Sequence, residues 1–216
     1  MTIKRGEEWS RPRSEDTPVQ VSGNDADLGA AIHQLPPGGL VQFTPARDSD
    51  LARAIGLTDG ARLTSEVELD ALRVTDDITA CNMVVVGTPP DRLRRFSPRT
   101  HIEVTVDGTV AFAGYGTSVV VAIGQFLHGA DLVPRGHPGD GRAEIQVYSL
   151  SRLQRAMRTR LRTGTHLPHP NITQRTGRQI GIRATGTLAF EVDGSRRPRE
   201  DRLDLEVLPD RYRLLI

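Results

Sequence analysis

Apolar residues recur at helical spacing early in the chain and at two-residue spacing from about residue 62 onward. In Asp25 to Leu35, read DADLGAAIHQL, the residues Leu28, Ala31, Ile32 and Leu35 fall on one helical face. The run Pro36-Pro37-Gly38-Gly39 stops that helix. Leu40 to Phe43 then reads as a short strand. Asp48-Ser49-Asp50 supplies N-cap choices for a second helix, LARAIGL, which ends at Gly56. These pieces predict a helix–strand–helix fragment of an α/β layer. Further along, ARLTSEVELDALRV alternates and TACNMVVVG reads as a buried strand. THIEVTVDGTVAFAGYGTSVVVAIG predicts strands around a Val106-Asp107-Gly108-Thr109 turn. AEIQVYS, TLAFEVDG and RLDLEVLPDRYRLLI continue the series. Closely spaced strands with glycine turns predict an antiparallel sandwich or barrel. One helix interrupts them: Ser151 caps SRLQRAMRTRLRTG, with Leu153, Ala156, Met157 and Leu161 on one face. The expected organisation is a flexible arm over residues 1–18, an α/β piece over 19–60 and a β-rich domain over 61–216.

Composition narrows the chemistry. The 216 residues carry a net charge of +1, 37% hydrophobic residues and 4% aromatic ones, so aliphatic side chains must build the core. The near-neutral balance gives no global electrostatic case for nucleic acid. A single cysteine, Cys81, excludes an internal disulfide framework and a cysteine-based zinc cluster. No apolar run reaches the roughly 18 residues of a membrane span, and the N-terminus lacks the apolar core of a secretory signal. The expectation is a cytoplasmic protein with at most peripheral membrane contact. Lys4 is the only lysine, so P-loop and Schiff-base lysine chemistries drop out.

Several stretches offer sites, each with a plainer reading. Asp193-Gly194 ends the strand AFEV; it is a favoured hairpin pair, or Asp193 is a general base, a role worth about 10²–10⁴-fold. Asp193→Asn is expected to abolish any activity with little loss of stability, because a turn position tolerates Asn. Asp107-Gly108 has the same local pattern. Asp140-Gly141, in a loop rich in proline and glycine, either turns into a strand or presents a carboxylate and carbonyls to a hard cation. His166 and His169 sit three apart, but Pro168 and Pro170 break the helix that would aim both at a metal. Arg152, Arg155, Arg158, Arg160 and Arg162 make a basic helix face, either solvated or facing anionic headgroups.

The order of these pieces resembles the bacterial diacylglycerol kinase and sphingosine kinase family of lipid kinases. NMVVVGTPP, VVVAIGQFLHGADLVPRGHPGDGRAEIQVY, RTGTHLPHPN, FEVDGS and VLPDRYRLLI resemble that family's second-domain motifs in sequence order. The resemblance implies a truncated α/β nucleotide-binding-type domain followed by an antiparallel β-sandwich domain, with the active site between them. It implies a phosphotransferase using ATP and Mg²⁺ on a hydroxyl of a lipid or small metabolite. Asp193 would be its catalytic base. Asp140, with the backbone carbonyls of His137 and Arg142, would hold a structural Mg²⁺. The family's two glycine loops correspond to Gly23-Asn24-Asp25-Ala26-Asp27 and Ala46-Arg47-Asp48-Ser49-Asp50. Gly23, Asp25 and Asp50 match; most glycines do not, and Arg47 is expected to supply a phosphate contact in their place. Asp27 adds a carboxylate that would repel phosphate, and Ser195 replaces the family's glutamate. The family has some sixty residues before its first glycine loop and this sequence barely twenty, so a homodimer is expected to cover the sheet. The alternatives are a family member that binds a ligand or partner without phosphorylation, or a repurposed enzyme using the same cleft.

Overall fold

The computed structural model describes residues 10–57, 63–154, 160 and 164–216. The chain begins with β1 (Ser10–Pro12), β2 (Val19–Gly23), α1 (Asp25–Gln34), β3 (Gly39–Pro45) and α2 (Asp50–Ile55). It continues through β4 (Ser65–Thr75), β5 (Ile78–Ala80), β6 (Met83–Gly87) and a 3₁₀ turn at Pro90–Arg92. Then come β7 (Thr100–Val106), β8 (Thr109–Gly116), β9 (Ser118–Ala122), β10 (Phe126–Leu127) and β11 (Ala130–Asp131). It closes with β12 (Ala143–Tyr148), β13 (Ile172–Gly177), β14 (Gln179–Val192) and β15 (Ser195–Leu215).

The pattern of buried positions explains the layering. In β6 and β9 the valine runs MVVVG and SVVVA are buried on both faces, the signature of central strands. Alternate residues part into two cores. Val84, Val86, Val119 and Val121 join one core, while Met83, Val85, Val120 and Ala122 join another. This matches the strand period of two. The antiparallel path runs β4-β15-β14-β6-β9-β12-β13, and β7 with β8 branches from β14. Two long hairpin-forming strands hold it together. β14 pairs with β7 through Ile180–Ala184 and with β6 through Phe190–Val192, and a register shift after Arg183 lets it bend from one partner to the other.

The α/β piece forms as its periodicity predicts, with Leu28 and Ile32 of α1 fully buried. Its core is shared. Leu28, Ile32, Val41, Phe43 and Leu51 pack with Val67, Leu69 and Ala71 of β4 and with Tyr212 and Leu214 of β15. β2 pairs in parallel with β3, and β3 in parallel with the end of β15. The far end of β15 thus serves both pieces of the chain. Among the described residues, β2 has β3 as its one partner strand.

The segment expected as a flexible arm is anchored from Ser10 onward. β1 pairs with β4, and the Ser14 amide and hydroxyl both donate to Glu66 Oε1 at 2.6 Å. Arg213 bridges Asp16 at 2.5 Å and the fully buried Glu66 at 2.9 Å. A buried carboxylate needs such partners, and composition gave no sign of where they lay. Of the helix expected over 151–164, Ala156, Met157, Leu161, Arg155, Arg158 and Arg162 lie outside the described residues. Its start has the expected cap: the Gln154 amide donates to Ser151 Oγ at 3.4 Å, and Gln154 Oε1 accepts from the Ser151 amide at 2.9 Å.

Candidate functional site

Four loops meet at one end of the sheet and enclose a cleft of about 480 Å³. They are the β2–α1 junction, the β3–α2 loop, the β10–β11 turn and the β14–β15 turn. Aspartates tie them together. Asp25 Oδ1 accepts from Ser49 Oγ at 2.5 Å, and its Oδ2 accepts the Asp50 and Leu51 amides at 3.0 Å each. Asp25 thereby caps α2 from another loop. Asp50 accepts the His128 amide at 2.6 Å and the Gly129 amide at 2.8 Å, fixing the β10–β11 turn. Asp193 Oδ2 accepts the Cys81 amide at 2.8 Å, while Oδ1 accepts the Asn82 and Met83 amides at 3.0 Å each.

Asp193 takes the turn reading, and the same residue lines the cleft. With φ 49° followed by Gly194 at 77° it forms the two-residue turn between β14 and β15, like Asp107 at 48° and Gly108 at 78° between β7 and β8. The carboxylates differ. Asp107 is exposed and uses Oδ1 for the Arg178 and Gln179 amides. Asp193 is buried and spreads three amide bonds over both oxygens. The expectation that Asn fits position 193 at little cost holds for the backbone and fails for the side chain: one amide nitrogen would face a buried N–H.

Burial, and then the nearby charge of Asp25, pushes the Asp193 carboxyl up to about 7. Burial likewise raises Asp25 and Asp50 above the usual carboxylate range. The opposing groups are guanidiniums. Arg47, Arg53 and Arg92 line the same cleft with Asp25, Asp50 and Asp193. Arg53 lies 5.8 Å from the Phe126 ring centroid, and Arg92 pairs with the buried Glu191 at 3.2 Å. His128 completes the wall, with Nδ1 3.0 Å from Asp91 and Nε2 3.1 Å from Arg92. Asp48 adds a fourth carboxylate to the lining, and the three guanidiniums offer partners to an anionic ligand.

The structure thus brings together Asp25, Arg47, Asp50 and Asp193 of the expected residues. Gly23 does not line the cleft. It sits at φ 139°, where a side chain would collide with the Asp27 carboxylate. That carboxylate accepts the Asn24 amide at 2.9 Å, and Asn24 in turn accepts the Ala26 and Asp27 amides. The Asp27 carboxylate expected to repel phosphate closes a capping box, and the Asn24, Ala26 and Asp27 amides of this loop are already satisfied. Asp140, His137 and Arg142 lie elsewhere. Asp140 Oδ1 accepts the Arg142 amide at 3.0 Å, and the turn is held by Asp70, whose Oδ2 accepts the Gly141 amide at 2.7 Å. Among the described residues, no group of three His, Cys, Asp or Glu side chains is placed to hold a metal. His166 is buried and stacks on Tyr148, with ring centroids 6.4 Å apart, and His169 Nδ1 accepts the Asn171 amide at 3.1 Å. Both histidines have structural roles.

Sequence reasoning missed Asn82, Arg92 and His128 as contributors. Asn82 Nδ2 donates to the Phe126 carbonyl at 3.0 Å and approaches Asp25 at 3.5 Å, linking three loops. It opens the stretch NMVVVG, where the only legible signal was a polar residue at the head of an apolar strand. Arg92 and His128 carried no local signal, because only the meeting of their loops gives them a common wall.

The model of the YegS C-terminal NAD kinase beta sandwich-like domain matches residues 78–216. No curated protein matches the chain. Three structures of diacylglycerol kinase-like proteins from Bacillus anthracis str. Sterne superpose with TM-scores of 0.76, 0.74 and 0.72, at 17%, 14% and 15% identity. Each covers 91% of this chain, which spans 76% of theirs. An NAD kinase from Archaeoglobus fulgidus, solved in complex with ATP, superposes with a TM-score of 0.53 at 11% identity, over 91% of this chain and 76% of its own. The expected architecture, an α/β piece leading into a β-sandwich of the diacylglycerol kinase-like kind, is the observed one. Among the described residues, no helix is long and apolar enough to cross a membrane.

Proposed function

This chain belongs to the family of the YegS C-terminal NAD kinase beta sandwich-like domain, and we propose from that premise that it is a diacylglycerol kinase-like phosphotransferase. Its acceptor is a hydroxyl of a lipid or small metabolite and its donor is ATP. The carrying observation is the convergence of Asp25, Asp50 and Asp193 with Arg47, Arg53 and Arg92 on one cleft. Phosphoryl transfer asks mainly for positioning and charge neutralisation. In this chain guanidiniums fit the phosphates better than the first loop does, because the Asn24, Ala26 and Asp27 amides are spent on the capping box. Mg²⁺ would enter with the nucleotide phosphates and meet at most one or two of these carboxylates. A second magnesium, at Asp140 with the carbonyls of His137 and Arg142, would brace the turn that precedes β12. Asp193, with its carboxyl held near neutral pH by burial, is suited to take a hydroxyl proton.

A second reading has its own support. Asp50 and Asp193 spend their oxygens on backbone amides, and Asp25 on two amides and the Ser49 hydroxyl, so these carboxylates hold loops in place and a cleft that binds a ligand without transferring phosphate fits them too. Calorimetry of the full chain with Mg²⁺·ATP separates the two readings from a false premise. Binding at micromolar to sub-millimolar affinity, weakened several-fold by Arg47→Ala, is expected; Arg47 is exposed, so the variant keeps its fold. Transfer of the γ-phosphate to an added diacylglycerol then decides between enzyme and binder. No heat with ATP, ADP or GTP would overturn the phosphotransferase reading and leave the cleft to a ligand other than a nucleotide.

A further inference from the structure

The segment that leaves the cleft wall builds a second surface. From Arg92 to Arg99 the chain reads RLRRFSPR, with four arginines and no acidic residue, although the whole chain has a net charge of only +1. Leu93 is buried and roots the segment in the core beside Met83 and Val85. A tight turn follows: the Arg94 amide donates to Ser97 Oγ at 2.9 Å, and the Ser97 amide donates to the Arg94 carbonyl at 3.0 Å. The turn sets Arg95 and Phe96 at its tip. Phe96 is 76% exposed. The Arg95 guanidinium lies 5.6 Å from its ring centroid, and that of Arg152, from a distant part of the chain, lies 5.8 Å away. Next to Arg152, Leu153 is 79% exposed. At the far end of the segment, Arg99 sits 6.0 Å from the ring of Tyr115, itself 60% exposed.

Large apolar side chains this exposed, held in place by guanidiniums, mark an interaction surface. Phe and Leu suit the boundary between headgroups and acyl chains, where arginine heads reach the phosphates while their stems stay on apolar surface. A nucleic acid fits less well. Leu153, the more exposed of the two apolar side chains, offers a base nothing to stack on. We propose that Phe96 and Leu153, with Arg95 and Arg152 at the Phe96 ring and Arg94 and Arg99 on the same segment, form a docking surface for an anionic phospholipid membrane. Arg92, at the root of the same segment, lines the cleft, so docking brings the cleft to the membrane. The inference does not depend on phosphoryl transfer, because partition is measured without nucleotide.

The test is co-sedimentation of the full chain with vesicles of phosphatidylcholine alone and of phosphatidylcholine with phosphatidylglycerol. The protein is expected to sediment with the anionic vesicles, with affinity about tenfold or more above that for the neutral ones, and to be released by salt. Phe96→Ser is expected to lower the partition about tenfold, and Arg152→Glu to lower it by a similar factor. Both positions are exposed, so both variants should unfold at the wild-type midpoint. Three results would each overturn the assignment. They are equal sedimentation with both vesicle types or none with either, wild-type partition by both variants, and displacement from the vesicles by a DNA oligonucleotide.

Discussion

Asp193→Asn and Asp107→Asn pose the same backbone question and opposite side-chain questions. Both positions hold nearly the same φ, 49° and 48°, and Asn accepts that left-handed conformation as readily as Asp. The backbone therefore predicts no difference. At Asp107 one oxygen takes both amide bonds, at 2.9 and 2.8 Å. An Asn oxygen can keep both, so the cost should stay within about 0.5 kcal/mol. At Asp193 the two oxygens share three amides, and an Asn nitrogen must replace Oδ2 opposite the buried Cys81 amide. Losing that bond and burying two facing donors should cost about 1–3 kcal/mol. The gap also depends on pH. The carboxyl of Asp193 is raised to about 7 in the fold, so its stabilising contribution is full below the unfolded value near 4. That contribution is lost as pH rises through about 7. Between about pH 5 and pH 8 the wild type should lose about 2–3 kcal/mol that the Asn variant does not lose. The difference between them should therefore narrow with rising pH. Urea unfolding of the three proteins at acidic and alkaline pH measures each figure. Equal penalties at the two turns, or a gap that widens toward alkaline pH, would refute the reasoning.

Two further substitutions probe the supports of the cleft. Gly29→Ala should improve α1 by about 1 kcal/mol on helix propensity alone, yet its methyl would stand 2.6 Å from the Thr79 carbonyl oxygen and 3.0 Å from Asp193 Oδ2. A net loss of about 1–3 kcal/mol by urea unfolding is expected, and a stabilised variant would mean that α1 does not press on β5 as described. Arg213→Met removes the nearer of two guanidiniums at the fully buried Glu66, Arg11 standing 3.9 Å away, and should cost about 1–3 kcal/mol in the same assay; a change within error would show that Ser14 and Arg11 together satisfy Glu66.

The sequence by itself determined the local elements and much of the order of the fold. Hydrophobic spacing placed α1, and alternation and glycine turns marked the strands, because helix and strand periods are properties of short windows. It also singled out Asp25, Arg47, Asp50 and Asp193, through motifs whose order along the chain is visible without coordinates. Only the tertiary structure decided what these residues touch. Gly23 gives way to the Asp27 carboxylate rather than to a phosphate, and the three aspartates hold amides from loops up to 112 positions away. Arg92 and His128 acquire a common wall, and Asn82 its links to Asp25 and Phe126, only when segments far apart in the chain close on one another. Phe96 and Leu153 look like ordinary core residues in the sequence, and it is their exposure beside Arg95 and Arg152 that sets them apart. Local pattern reports which side chains prefer burial; which of them find it, and which charges they then face, depends on long-range packing that no short window contains.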